Sequence, residues 1–82
     1  MMMTSIIEAV GATPLVELHR IRDKLGLDGK LLAKCDYLNP GFSKKDRAAR
    51  ATIEAARASG ELTAGQTVVE LTSGNMGTGL AI

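Results

Sequence analysis

Aromatic side chains are nearly absent from this sequence of 82 residues, in which Tyr37 and Phe42 make up the whole aromatic content of 2%. Any hydrophobic core must therefore consist of Leu, Ile, Val, Ala and Met, and such a core is thin in so short a chain. The sequence also lacks aromatic platforms for bases, and its net charge of +1 contains no basic block. A nucleic acid is therefore not an expected partner.

Long apolar runs and paired cysteines are missing too. No apolar run approaches the roughly 20 residues of a membrane-spanning helix, so no membrane association is predicted. The first ten residues, MMMTSIIEAV, lack the basic start and the apolar centre of a secretion signal. The single cysteine, Cys35, excludes an internal disulfide bond and fits a reducing compartment. These features predict a cytoplasmic protein.

What is present is a globular composition, with 45% hydrophobic and 23% charged residues. Without repeats or a linker, the chain is predicted to form a single unit. The turn sequence GATP (residues 11–14) precedes a predicted short strand at Leu15–Leu18 and a predicted helix at His19–Leu25. A further, largely buried strand is predicted at Lys30–Tyr37, ending at the turn sequence NPG (residues 39–41).

The strongest local signal is that of a helix at Ser43–Ser59. Ser43 suits the N-cap position, and Asp46 supplies the acidic partner of a capping box three residues later. The segment is rich in alanine, which has the highest helix propensity, and Gly60 fits the position after the last turn. These signals agree on both ends of the helix.

A β-branched segment at Thr67–Leu71 predicts a buried strand, and Leu80–Ile82 has the character of the opening turn of another helix. Strand, helix and strand in this order predict an α/β fold with a βαβ unit whose two strands are parallel. Ligands bind at the carboxyl ends of the strands in such sheets. Two loops, NPGFSKKD (residues 39–46) and LTSGNMG (residues 71–77), should therefore face one cleft.

Two adjacent lysines, Lys44 and Lys45, stand at the start of the predicted helix. A lysine becomes a nucleophile or a Schiff-base former when its amine loses its proton, which nearby positive charge favours. Lys45 has Lys44, Arg47 and the positive end of the helix close by. Neighbouring helical residues point about 100° apart, so only one lysine can face the cleft. The alternative is that both are ordinary solvent-exposed lysines.

The loop TSGNMG (residues 72–77) combines hydroxyl groups, an amide and backbone N–H groups that glycine leaves accessible. A loop of this kind before a helix can receive a carboxylate or a phosphate. It is not a P-loop, because no Gly-Lys-Ser/Thr follows, and its glycine order does not match the dinucleotide fingerprint. The alternative is a glycine-rich turn that serves only close packing of helix and strand.

Three segments in this order resemble one family. They are GATPLVEL (residues 11–18), NPGFSKKDR (residues 39–47) and TSGNMG (residues 72–77), and they are similar to motifs of the cysteine synthase and cystathionine β-synthase family of fold-type II pyridoxal-phosphate enzymes. The resemblance implies a three-layer αβα fold with a parallel sheet, tryptophan synthase β-like. Members of that family are several times longer, so it also implies that residues 1–82 are the N-terminal part of a truncated catalytic domain.

The resemblance implies roles for single residues as well. Lys45, immediately before Asp-Arg, would carry pyridoxal 5′-phosphate, whereas Lys44 stands where the family commonly has an apolar residue and would be its solvated neighbour. Asn75 would hydrogen-bond the 3′-oxygen of the cofactor. The loop that would bind the amino-acid substrate, chiefly through its α-carboxylate, consists of Thr72, Ser73, Gly74, Asn75 and Met76.

The implied reaction is β-replacement, in which sulfide or a thiol replaces the leaving group of an O-activated serine and Lys45 removes the α-proton. Met76 stands where the family usually has threonine, so a dehydratase, a threonine synthase or a cystathionine β-synthase stays an alternative. A truncated, non-catalytic chain is the third hypothesis. The full-length protein would be a homodimer, and no metal is expected because His19 has no second ligand near it in the sequence.

Overall fold

The structure of the chain is a computed structural model that describes residues 2–82. In chain order its elements are a 3₁₀ turn at Ile6–Ala9, β1 at Leu15–Glu17, α1 at His19–Lys24, β2 at Leu32–Lys34, a 3₁₀ turn at Asp36–Leu38, α2 at Lys45–Ser59 and α3 at Asn75–Ala81. β1 and β2 form a two-stranded antiparallel sheet in which Val16 lies opposite Ala33. The predicted strand before α1, and α1 itself, are confirmed.

α2 confirms the strongest prediction at its C-terminal end, where Gly60 adopts the left-handed conformation with φ of 84°. Its first turn differs, because the helix begins at Lys45 and not directly after Ser43. The Ser43 hydroxyl still accepts a hydrogen bond from the Lys45 N–H at 3.2 Å. Asp46 closes no capping box, since its carboxylate accepts the N–H of Gly41. That buried N–H would otherwise have no partner.

The predicted strand at Thr67–Leu71 is not formed within residues 2–82. This segment is irregular and pairs with no strand, and the side chains of Val69 and Leu71 are 87% and 97% exposed. A strand is stable only when a neighbour satisfies its backbone groups, and β2 pairs with β1 alone in this part of the chain. The predicted parallel βαβ unit and the three layers are therefore absent from residues 2–82, which form a small mixed unit of helices and strands.

Two further elements have other bounds than those predicted. β2 covers only the centre of Lys30–Tyr37, because the chain turns at Asp36 into a 3₁₀ turn, and it is not largely buried. α3 begins at Asn75, well before the predicted opening turn at Leu80–Ile82. The N–H and the hydroxyl of Thr78 both donate to the Gly74 carbonyl and close the first helical turn there.

The described residues do not enclose a hydrophobic core. Ala49, at 1% exposure, is the one buried apolar side chain among residues 2–82. The radius of gyration is 16.9 Å, compared with about 12 Å for a compact domain of this length. The accessible surface is 6369 Å², compared with about 4,700 Å² for a compact protein of this mass. Apolar side chains that a globular protein buries are therefore open on this surface.

Candidate active site

Lys45 and the loop before α3 line one open pocket of about 370 Å³. The other residues that line it are Leu71, Thr72, Ser73, Gly74, Asn75 and Met76. The structure thus brings together Lys45 and all the predicted residues of the loop. Both lysines are exposed, and of the two only Lys45 lines this pocket.

The packing of α3 against α2 holds the loop beside Lys45. Gly79 of α3 faces the first turns of α2, where a Cβ on Gly79 would lie 3.0 Å from Ala49 Cβ and 3.3 Å from Asp46 Cα. Both Ala49 and Asp46 are buried, at 1% and 2% exposure. The predicted cleft is therefore present between Lys45 and residues 71–76. The packing of α3 on α2 brings them together, whereas the sequence predicted that the ends of two parallel strands would do so.

The hydroxyl of Thr72 organises the loop. Its Oγ1 accepts hydrogen bonds from the N–H groups of Gly74 at 3.1 Å and Gly77 at 3.2 Å. Gly74 has φ of 149°, a conformation that residues with a side chain rarely adopt. Gly77 approaches Thr72 so closely that a Cβ would lie 2.7 Å from Thr72 Cγ2. Gly74 and Gly77 therefore allow the backbone to turn tightly around the Thr72 hydroxyl.

The first turn of α2 is also tied to the segments that flank the sheet by a group of polar contacts, here called the Arg47 cluster and made of Arg47, Gly11, Thr13 and Asp36. Arg47 Nη2 donates to the Gly11 carbonyl at 3.1 Å, to Thr13 Oγ1 at 3.1 Å and to Asp36 Oδ1 at 3.0 Å. The Thr13 hydroxyl in turn donates to Asp36 Oδ1 at 2.9 Å. The cluster joins the GATP turn to the start of α2.

The hydrogen bond from Arg47 has the largest effect on Asp36 and holds the pKa of its carboxyl below the usual value of 3.8. Partial loss of hydration acts in the opposite direction, and the hydrogen bond from Thr13 lowers the pKa further. Asn39, at 1% exposure, supports the group by accepting the Gly11 N–H at 2.8 Å and donating to the Asp36 carbonyl at 2.9 Å.

The sequence prediction missed these supporting residues, although Gly11, Thr13, Asn39 and Arg47 all stand in two of its three motifs. Polar side chains in a turn or in a first helical turn are usually solvated, so their type alone indicates no partner. Their partners lie up to 36 positions away along the chain. The buried state of Asn39 and Asp46 would have been the signal, and it is visible only in the fold.

Other candidate features have no catalytic arrangement. No three His, Cys, Asp or Glu side chains of residues 2–82 come together as a metal site requires. His19 is exposed, and Cys35 is a free, partly buried thiol. A second cavity of about 320 Å³ beside α2 is mostly apolar, and its Arg50 and Glu54 are paired with each other at 2.7 Å. No helix in the described part of the chain is both long and apolar enough to span a membrane.

Comparison with known proteins gives matches over almost the whole chain. Residues 6–82 match the family described as "Pyridoxal-phosphate dependent enzyme". The chain is 46% identical over 80 residues to cystathionine beta-synthase of Apis mellifera, which covers 98% of this chain and 16% of that protein. It is 47% identical over 77 residues to cystathionine beta-synthase of Rattus norvegicus, which covers 94% of this chain and 14% of that protein.

Solved structures agree with these matches. The O-acetylserine dependent cystathionine beta-synthase of Helicobacter pylori superposes with a TM-score of 0.86 at 34% identity, over 99% of this chain and 26% of that one. A hydrogen sulfide-producing enzyme of Fusobacterium nucleatum gives a TM-score of 0.82 at 36% identity, with the same coverage. The chain thus spans about a quarter of these structures, and 14–16% of the two curated relatives named above.

The polar groups that line the pocket fit the aldehyde end of the cofactor of this family. Lys45 offers an amine for an aldehyde, and Asn75 offers an amide that can hydrogen-bond the hydroxyl oxygen attached to the cofactor ring. The hydroxyls of Thr72 and Ser73 suit a polar amino-acid substrate. Together with the match over residues 6–82, this shows that the chain belongs to the pyridoxal-phosphate dependent enzymes of fold type II, a family whose cofactor is pyridoxal 5′-phosphate.

Proposed function

We propose that the full-length protein catalyses pyridoxal-phosphate-dependent β-replacement in sulfur amino-acid metabolism. In this reaction sulfide or a thiol replaces the oxygen leaving group on the β-carbon of a serine derivative. The observation that carries the proposal is that Lys45 and the loop Thr72–Met76 line one pocket. The relatives support it, since their names include an O-acetylserine dependent cystathionine beta-synthase and a hydrogen sulfide-producing enzyme.

Lys45 has the central role in this proposal. Its Nζ would hold the cofactor and, once the amino group of the substrate takes that place, would remove the proton from the substrate α-carbon. The cofactor supplies an electron sink for the charge left on that carbon. Asn75, which lines the same pocket, would orient the cofactor ring through a hydrogen bond to its 3′-oxygen.

Thr72 and its neighbours would hold the α-carboxylate of the substrate. The Thr72 oxygen already accepts two N–H groups, which occupies both of its lone pairs and leaves its own hydrogen to be donated. The N–H groups of Gly74 and Gly77 already donate to Thr72 Oγ1 and are not available to the substrate. Gly74 would therefore contribute by shaping the loop. Donors that stay available include the hydroxyls of Thr72 and Ser73 and the backbone N–H groups of Ser73, Asn75 and Met76. A methionine at position 76 leaves such a backbone contact intact.

Reductive trapping tests the role of Lys45. The full-length protein would be incubated with pyridoxal phosphate, treated with borohydride and digested for peptide mass spectrometry. We expect the label on Lys45, its loss in Lys45→Ala, and its retention in the matched control Lys44→Ala. An even label on all the lysines of this segment would contradict the proposal; these are Lys24, Lys30, Lys34, Lys44 and Lys45.

The sulfur nucleophile defines two candidate activities. The sequence prediction is a cysteine synthase-like reaction with sulfide, whereas the names of the curated relatives, 46–47% identical, favour a thiol that yields cystathionine. The full-length protein would be given O-acetylserine with either sulfide or homocysteine, and the products measured by mass spectrometry. Cysteine alone would support the first activity and cystathionine alone the second. The absence of both products would refute β-replacement on this substrate.

The assembly, the domain and the location of the protein are part of the same proposal. A homodimer of a larger catalytic domain, in which residues 1–82 are the N-terminal part, would cover the apolar side chains that these residues leave exposed. Light scattering on the full-length protein tests the dimer, and a monomeric mass would refute it. Cell fractionation tests the predicted cytoplasmic location.

A further inference from the structure

The first turn of α2 is anchored on the side opposite Lys45. Successive helical residues are about 100° apart, so Arg47 projects roughly 160° away from Lys45 around the helix axis. Lys44, whose backbone is already helical with φ of −63° and ψ of −16°, lies only about 60° from Arg47 in the same projection. The side of the helix that the Arg47 cluster holds is therefore the side of Lys44.

We propose that Arg47, together with Asp36 and Thr13, is a positioning group that selects Lys45 over Lys44 as the lysine facing the pocket. Three acceptors from two separate segments converge on one guanidinium nitrogen. This convergence fixes the rotation of the first helical turn about its axis. A turn fixed in this way presents Lys45 to the pocket and keeps Lys44 outside it, as the structure shows.

A second anchor acts in another direction. The Asp46 carboxylate accepts the Gly41 N–H, and its other oxygen, Oδ1, is buried without a hydrogen-bond partner. A Cβ on Gly79 would lie 3.3 Å from that oxygen, so α3 packs directly against it. Asp46 therefore fixes how deeply α2 sits against the NPG turn and α3. The Arg47 cluster restrains another side of the same helical turn, about 100° away around the axis.

Stability alone does not account for the cluster. The Arg47 side chain is 41% exposed and that of Asp36 is 26% exposed, and ion pairs with this exposure contribute little to the free energy of unfolding. A group of this kind can still define an orientation, because a planar guanidinium places its donors in a rigid geometry. Loss of Arg47 should therefore alter which lysine reacts with the cofactor. It should leave the unfolding temperature nearly unchanged.

The inference rests on the proposed function and is tested on the full-length protein with pyridoxal phosphate as the probe. Borohydride trapping and peptide mass spectrometry give the ratio of label on Lys45 to label on Lys44. We expect Arg47→Gln to lower this ratio at least about fivefold, the factor that one hydrogen bond of average strength contributes. Arg47→Lys keeps the charge without the planar fork and should recover the ratio only in part.

Matched variants separate this role from a purely structural one. The pair Arg22 and Asp23, 2.7 Å apart on the surface of α1, belongs to no part of the site, so Arg22→Gln should leave the ratio unchanged. Asp36→Asn is the second variant, for use if Arg47→Gln does not fold. It retains the Gly11 and Thr13 acceptors of Arg47, and we expect it to lower the ratio as well. Unfolding temperatures without cofactor are measured in parallel.

The outcomes distinguish the two proposals. If the unmodified protein carries no label on Lys45, the proposed function fails and this inference fails with it. If Lys45 is labelled and the ratio is the same in Arg47→Gln and Asp36→Asn as in the unmodified protein, only the positioning role is overturned. A lower unfolding temperature with an unchanged ratio would likewise assign the cluster to stability and refute the inference.

Discussion

The close contact between Gly77 and Thr72 allows the role of the substrate loop to be tested with one methyl group. In Gly77→Ala the added Cβ would lie 2.7 Å from Thr72 Cγ2, whereas carbon atoms pack at about 3.5–4.0 Å. Rotation of the Thr72 side chain relieves this overlap of about 1 Å. The same rotation moves Oγ1 away from the N–H groups of Gly74 and Gly77.

The effect on global stability should be small, because two contributions oppose each other. Overpacking costs about 1–3 kcal/mol, while alanine in place of glycine within a helix restores about 1 kcal/mol. The free energy of unfolding should therefore fall by about 0–2 kcal/mol. The displaced Thr72 hydroxyl should weaken binding of the amino-acid substrate about tenfold, which corresponds to about 1.4 kcal/mol.

The matched variant is Thr72→Ser, which removes Cγ2 and keeps the hydroxyl. The double variant Thr72→Ser/Gly77→Ala should recover most of the binding that Gly77→Ala loses, and a double-mutant cycle measures this coupling. Substrate affinity would be titrated by absorbance on the full-length protein loaded with pyridoxal phosphate. If Gly77→Ala lowers the affinity equally with and without the Thr72→Ser substitution, the contact is refuted as the cause. Unchanged affinity in Gly77→Ala would refute the role of the loop.

Three further predictions concern the supports of the site, each measured on the full-length protein. Gly79→Ala should lower the free energy of unfolding by about 1–2 kcal/mol in urea, because overpacking against Ala49 Cβ, 3.0 Å from the added Cβ, costs about 2–3 kcal/mol and the higher helix propensity of alanine offsets about 1 kcal/mol; an unchanged value would contradict the helix contact. Gly60→Ala should cost about 1–2 kcal/mol through φ alone, since no atom lies within 4 Å of the added Cβ, and an equally stable variant would show that this φ is not retained. The lowered pKa of Asp36 contributes stability above the usual value of 3.8 that is lost as the pH falls through the lower folded value. Asp36→Asn should therefore remove part of the acid-induced loss of stability, and an identical pH profile would refute the interaction with Arg47.

Local features of the sequence were sufficient for the elements that depend on nearby residues. The alanine-rich segment and Gly60 predict the body and the end of α2, because helix propensity and the left-handed glycine cap act within one or two turns. Lys45 and the loop Thr72–Met76 were recognised from motif resemblance, and the pocket brings them together. Their chemical roles stay predictions until the trapping experiment is done.

Elements whose partners are distant along the chain could not be predicted in the same way. Thr67–Leu71 has the composition of a strand, yet a strand forms only beside a partner, and residues 2–82 place none there. The sequence predicts that Asp46 closes a capping box within its own helix. In the structure its carboxylate instead accepts the buried N–H of Gly41, because leaving that donor without a partner would cost more free energy.

The same distinction applies to the site. The resemblance of the three motifs predicts which lysine and which loop carry the chemistry, and the structure places both at one pocket. The contacts that orient them, from Arg47 to Gly11 and Asp36 and from Gly79 to Ala49, join segments 11 to 36 positions apart. Such contacts follow from how whole elements pack, because the direction of a side chain in space depends on every turn of the backbone between the two segments.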